Sequence, residues 1–272
     1  MGGHAMRKAS VAAQSIQDAK PITWLARAGL TARGIVYLLL GLLALLVASG
    51  RHAQLDQKGA LAQVLKEPFG EWVVGLLAAG FGAYSLWRLS EAAFGVTGEG
   101  RKAGPRLKSL ARAAIYSFLA YSAVEVLQGS RESTSKQQHD YAAKAMAHPW
   151  GRGAVALIGA IVVVVAVMLV VEGVKQKFMR FFPSGKLSSE VRKAIRLLGR
   201  VGTIARGVVF GLTGFLFVLA AKNYDAAKAT GLDGALKTLR DRSYGGPLLI
   251  LAAVGLIVFG IYGLLEARYR QV

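Results

Sequence analysis

Apolar positions gather in six long runs, at residues 34–49, 72–89, 110–128, 153–171, 207–221 and 247–265, with charged connections between them. Each run is about as long as a helix needs to cross a ~30 Å hydrocarbon layer at 1.5 Å per residue. The first and fifth are short, which places their true starts earlier, with Arg33 and Arg206 reaching back to the headgroups. The fourth holds nineteen residues without a charge, which a soluble core seldom needs. No run alternates with the period of a barrel strand, so backbone groups in lipid must be satisfied within helices. The pattern predicts an all-α integral membrane protein with six transmembrane helices. No connection is long enough for a soluble domain, so residues 1–272 read as a single membrane domain.

The six runs are three pairs of one unit, at about 21–98, 101–180 and 190–270. First spans share Arg27-x5-Arg33-Gly34-x2-Tyr37, Arg106-x5-Arg112-Ala113-x2-Tyr116 and Arg200-x5-Arg206-Gly207-x2-Phe210. Second spans open on Phe69-Gly70, Trp150-Gly151 and Tyr244-Gly245, and the same 22-residue step leads from each aromatic to Glu91, Glu172 and Glu266. A unit with two spans enters and leaves on one side, so the copies are parallel and a pseudo-threefold bundle is expected. Within each unit, residues 59–65, 142–146 and 234–239 space their apolar positions three or four apart, which predicts short interfacial helices. Repeated glycines such as Gly34, Gly41, Gly207 and Gly214 predict close helix packing.

The charges set the topology. Net charge is +19, yet the basic residues follow the loops and form no continuous strip, so no nucleic-acid partner is expected. Segments 1–33, 91–112, 172–206 and 266–272 hold 21 Lys and Arg against 12 in the alternate loops. By the positive-inside rule both termini are cytoplasmic, and the protein is expected to be multi-pass in a bacterial inner membrane. The first thirty residues lack the cleavage site of a removable signal, so the first span is expected to remain. Membrane lipids, and possible neighbouring membrane proteins, are the partners this placement implies.

Candidate chemistry lies at the span ends. Arg33, Arg112 and Arg206 enter from the side where Glu91, Glu172 and Glu266 emerge, so opposite charges lie at similar depth. Two readings stay open: a charged collar around the axis, or separate pairs that staple each hairpin. Tyr37, Tyr116 and Phe210 stand one turn inside each Arg, able to cover it. Trp87, Met168 and Tyr262 fill the matching place before each Glu. Glu125 has Leu46 and Leu219 as counterparts, so its carboxylate is private to the third span. With Tyr121 and Ser122 within a turn, and Ser117 nearby, it is a proposed intramembrane polar site. Arg88 is the other private charge, expected to pair across helices or extend to the cytoplasm.

Other chemistry is missing. The chain has no cysteine, and its four histidines, His4, His52, His139 and His148, all lie outside the spans. That removes bis-His haem between helices and leaves His139-Asp140 with His148 as a weak metal set. With no Walker loop, dinucleotide fingerprint or nucleophile elbow, no cofactor is expected and no catalytic group can be named.

The run 24–37, its echo at 199–210 and the ending 262–270 resemble the bacterial membrane family catalogued as domain of unknown function 1206. The resemblance covers almost the whole chain and implies three two-span repeats, with no established activity. The middle copy departs, with Ala113 and Ala120 in place of glycines and Lys108 where the outer copies have Gly29 and Gly202, which implies looser packing there. Mitochondrial carriers are similar in architecture only, because their Pro-x-acid-x-x-base motif is absent. Two functions follow as expectations: a small transporter, channel or lipid-binding protein, or a non-catalytic scaffold or accessory subunit of a membrane complex.

Overall fold

The computed structural model describes residues 20–50, 54–95, 103–130, 134–183, 187–225, 228–229, 231–240 and 244–271. The polar amino-terminal segment with His4, and the loop position His52, lie outside the described residues. The helices are α1 (Lys20–Ala48), α2 (Gln57–Val64), α3 (Gly70–Phe94), α4 (Ala103–Leu127), α5 (Thr134–Met146), α6 (Gly151–Val174), α7 (Ser189–Asn223), α8 (Leu232–Arg240) and α9 (Gly245–Tyr269). A 3-10 turn at Lys177–Phe181 follows α6. Six of these, α1, α3, α4, α6, α7 and α9, are long and apolar enough to cross a membrane. The short α2, α5 and α8 fall where the three interfacial segments were expected.

First spans begin well before their apolar runs. Basic residues continue the helix instead of ending it, so α7 reaches 35 residues, about 52 Å at 1.5 Å each. Arg33, Arg112 and Arg206 therefore lie inside their helices. From Arg33 to the end of α1 at Ala48 is about 22 Å. Arg112 stands equally far from Leu127, and Arg206 about 3 Å further from Asn223.

Second spans of each unit pack most closely on first spans of the next: α3 on α4, α6 on α7, and α9 on α1. The α1–α9 seam is close because a methyl at Gly34 would stand 2.9 Å from the Gly260 carbonyl, and one at Gly41 2.7 Å from that of Ala253. This antiparallel register puts Lys20 and Tyr269 at one end, called here the near end, with α2, α5 and α8 at the far end. Backbones so close gain dispersion contacts where lipid supplies no hydrophobic drive.

Within units, α1 meets α3 and α7 meets α9, but no comparable packing joins α4 to α6 among the described residues. The helices thus run α6–α7–α9–α1–α3–α4, and the two ends of that row do not pack on each other among the described residues. Residue size explains it. In the first unit Gly29 receives Tyr84, where a methyl would be 2.1 Å from Tyr84 Cβ, and Gly80 receives Ala32. In the third, Gly202 receives Phe259 and Gly255 receives Ala205. The middle unit has Lys108 and Ile161 at these two places, so neither helix can seat the other.

The repeated aromatic–glycine pair has a steric origin. Each second span starts against the last carbonyls of its surface helix: an added methyl would lie 2.1 Å from Val64 O at Gly70, 1.6 Å from Ala145 O at Gly151 and 1.8 Å from Arg240 O at Gly245. Only glycine fits that turn. At the first copy Phe69 itself takes left-handed backbone, with φ of 63°.

Candidate functional site

Toward the near end, the interior is built from guanidinium groups and aromatic rings. Arg33 pairs with Glu266, whose other oxygen accepts from Arg270 Nη1 at 2.8 Å. The first of these joins α1 to α9, so it ties the first unit to the third. Glu91 accepts from Arg88, its neighbour one turn back on α3, and from Ser109 Oγ on α4 at 2.7 Å. Arg88 also donates to Tyr84 Oη at 2.6 Å and lies over the Trp87 ring at 4.0 Å. It is only 2% exposed, and its bonds stay within its own helix instead of crossing to another or extending to the cytoplasm.

Arg206 is held differently. It stands over Phe210, Phe259 and Tyr37 at 4.8, 4.9 and 5.3 Å, with no carboxylate within ion-pair distance among the described residues. Three ring faces attract a guanidinium by about 2 kcal/mol or more where water is excluded, but they bring no net negative charge. Arg112 likewise has no direct ion pair among the described residues. It is exposed on α4, within electrostatic reach of Arg88, Arg270 and Glu172. Glu172 lies on α6, so Arg112 and Glu172 stand on the two helices that do not pack on each other. Of the six residues expected at a collar, the structure joins Arg33 to Glu266 directly, gives Glu91 to Arg88, and leaves Arg112, Arg206 and Glu172 without a directly bonded opposite charge among the described residues.

Rings fill the centre between these charges. Tyr37 meets Phe259 edge-on at 4.7 Å, and Tyr116 lies 4.1 Å from Tyr84 and 6.0 Å from Phe81. By the repeat, Tyr84 and Phe259 correspond to Val165, and Trp87 and Tyr262 to Met168. Val165 and Met168 are exposed, because α4 does not close upon them.

At the far end Glu125 binds Lys58 of α2, Nζ to Oε2 at 2.8 Å, and Lys58 is 2% exposed. The expected partners do not reach this carboxylate: Tyr121 points outward, and Ser122 Oγ is buried without a partner. Ser117 instead bonds Ser85 at 2.8 Å. Asp233 of α8 accepts from the Leu55 amide at 2.7 Å, tying the third unit's surface helix to the first unit's loop. His139 Nδ1 lies 3.0 Å from Asp140 Oδ1, and among the described residues no group of three metal ligands forms.

Lys58, Ser109 and Arg270 were not singled out from sequence. The i, i+4 spacing of Glu266 and Arg270 was a usable signal for one of them. Lys58 and Glu125 stand 67 positions apart on different units, which no local spacing reveals.

Three repeated hairpins, six apolar spans and a charged interior at one end define a multi-pass helical membrane protein. The model of the family named Domain of Unknown Function (DUF1206) matches residues 28–95, 107–176 and 201–270. The chain belongs to that family. It is similar to the Bacillus subtilis (strain 168) protein described as "Uncharacterized protein YxxB", 30% identical over 259 residues that cover 94% of each chain. No solved structure matches it.

Proposed function

We propose that this protein binds a membrane lipid, admitting its acyl chains from the bilayer through the opening between α4 and α6. The observation that carries this is the missing α4–α6 packing in a molecule whose other two units close. The walls of the opening are apolar, with Ile115 and Phe118 on α4 and Val165 and Met168 on α6 all exposed. The aromatic centre favours a lateral binding site over a polar path along the axis. Three between-unit seams of one kind support a pseudo-threefold ring opened at one place, and Arg33, Arg112, Arg206, Glu91, Glu172 and Glu266 form its collar. The excess of Lys and Arg on one set of loops supports an inner-membrane topology with both termini and the collar on the cytoplasmic side.

Native mass spectrometry of the purified chain tests the reading. One retained lipid per chain is expected, and Val165→Trp, which puts an indole into the opening, should lower its occupancy several-fold. Leu157→Trp, eight positions toward the far end on the same helix, should not. Unchanged occupancy in Val165→Trp would refute the site. A stoichiometric membrane protein in place of the lipid would favour the scaffold reading.

A further inference from the structure

Charge does not balance in the interior beside the opening. Arg33, Arg88, Arg112, Arg206 and Arg270 are linked there through shared carboxylates, shared rings and mutual electrostatic reach. Facing them are Glu91, Glu172 and Glu266. Among the described residues, five guanidinium groups against three carboxylates leave two positive charges uncompensated, and Arg112 and Arg206 are the arginines without a carboxylate bond. A second, independent observation agrees. Nε of Arg33, Arg88, Arg206 and Arg270 is buried with no hydrogen-bond partner among the described residues. Cations at membrane depth are retained where they pair or line a polar cavity, and a buried donor without an acceptor lowers stability. A stable interior of this composition calls for an anion with several acceptor oxygens.

We infer that the arginine-rich interior binds the anionic headgroup of the lipid, a phosphate ester or a carboxylate, with Arg112 at the mouth and Arg206 supplying the second uncompensated charge. This rests on the lipid-binding reading and names the chemistry of its ligand. Guanidinium suits such oxygens because its planar fork can donate two parallel hydrogen bonds. Arg112 suits the mouth because it is exposed on α4 opposite Glu172 of α6. The surplus also limits the ligand: a head of net charge zero leaves both cations uncompensated, a singly anionic one leaves one, and a doubly anionic one neutralises both. The apolar faces of α4 and α6 would hold the chains of the same molecule, so head and tail are recognised by different parts of one opening.

The test offers delipidated protein in detergent an equimolar mixture of phosphatidylglycerol, phosphatidylcholine and diacylglycerol with identical acyl chains, and reads bound species by native mass spectrometry. Phosphatidylglycerol is expected to exceed each of the others at least tenfold. That preference should fall to about parity in R112Q/R206Q and survive in R112K. Arg268→Gln, which removes a cation from the exposed end of α9, should leave it intact. Thermal melting in the same detergent separates binding from folding: neither Arg112 nor Arg206 has an ion pair to lose, so lipid-free R112Q/R206Q should keep a cooperative melt, lowered only by the loss of the Arg206 ring contacts. Equal retention of all three lipids would overturn the headgroup assignment and leave lipid binding standing. Retention of none would overturn both. Undiminished preference in R112Q/R206Q would place the head elsewhere, and inorganic phosphate that displaced phosphatidylglycerol without displacing the residual diacylglycerol would support the headgroup site.

Discussion

Replacing Glu266 by Gln removes the one carboxylate that two guanidinium groups share, Arg33 on α1 and Arg270 one turn further along α9. Glu266 is 4% exposed and Arg33 8%, so the charges left behind cannot turn to water. Losing one partner of a buried ion pair costs about 3–5 kcal/mol, two to three and a half decades in the unfolding constant at ~1.4 kcal/mol per decade. Arg33→Gln should cost less, about 2 kcal/mol, because Glu266 keeps Arg270. The double variant should be little worse than Glu266→Gln alone, which makes the coupling about 2 kcal/mol. Equilibrium unfolding in mixed micelles, by titrating a denaturing detergent into a mild one, supplies all four corners of the cycle. A parallel cycle on Arg206 and Glu266 should be additive within ~0.5 kcal/mol, because Arg206 lies over rings and not against that carboxylate. If Arg33 and Glu266 prove additive, or Arg206 and Glu266 strongly coupled, the pairing runs within a hairpin and the between-unit assignment is wrong.

Lys58→Met or Glu125→Leu alone should lower stability by a few kcal/mol, about 3–5 if a lone buried charge persists, while the double replacement recovers most of it in detergent melts. Gly151→Ala, whose methyl would meet Ala145 O at 1.6 Å, should destabilise strongly; Gly153→Ala, with open space around it, should be neutral or gain up to about 1 kcal/mol of helix propensity. Single cysteines at Ser188 and at Ser130, in a chain with none of its own, should react with a membrane-impermeant maleimide only after permeabilisation of spheroplasts and directly, respectively. Lys108→Gly with Ile161→Gly restores both seats that the outer units possess, so lipid retained by the parent should fall in the double variant.

Much of the fold was legible because it rests on local rules. Apolar run length gives the spans, and the aromatic–glycine pair marks each start because no other residue fits beneath the preceding carbonyl. Surface helices showed through three- and four-residue spacing over segments as short as α2. Pairing was not legible. Arg33, Arg112 and Arg206 are equivalent in sequence, yet Arg33 takes a carboxylate, Arg206 takes three rings and Arg112 takes neither, because the choice depends on which helix lies alongside. Glu125 looked solitary for the same reason: its partner sits on another unit's surface helix.

The middle unit carries the argument furthest. An ancestral ring of three equal hairpins would close wherever first and second spans exchange a glycine for a ring or a methyl. Gly29 with Tyr84 and Gly202 with Phe259 do so here. Lys108 opposite Val165 cannot, since a long cation replaces the seat and a small aliphatic group replaces the ring. Both changes fall at one interface, together with Ile161 where the other units have Gly80 and Gly255, and each acts in the same sense. Random loss of packing would scatter such changes over all three seams. Their concentration on α4 and α6, beside Arg112 which has no ion-pair partner there, fits an opening kept for a ligand that brings its own apolar surface and its own negative charge.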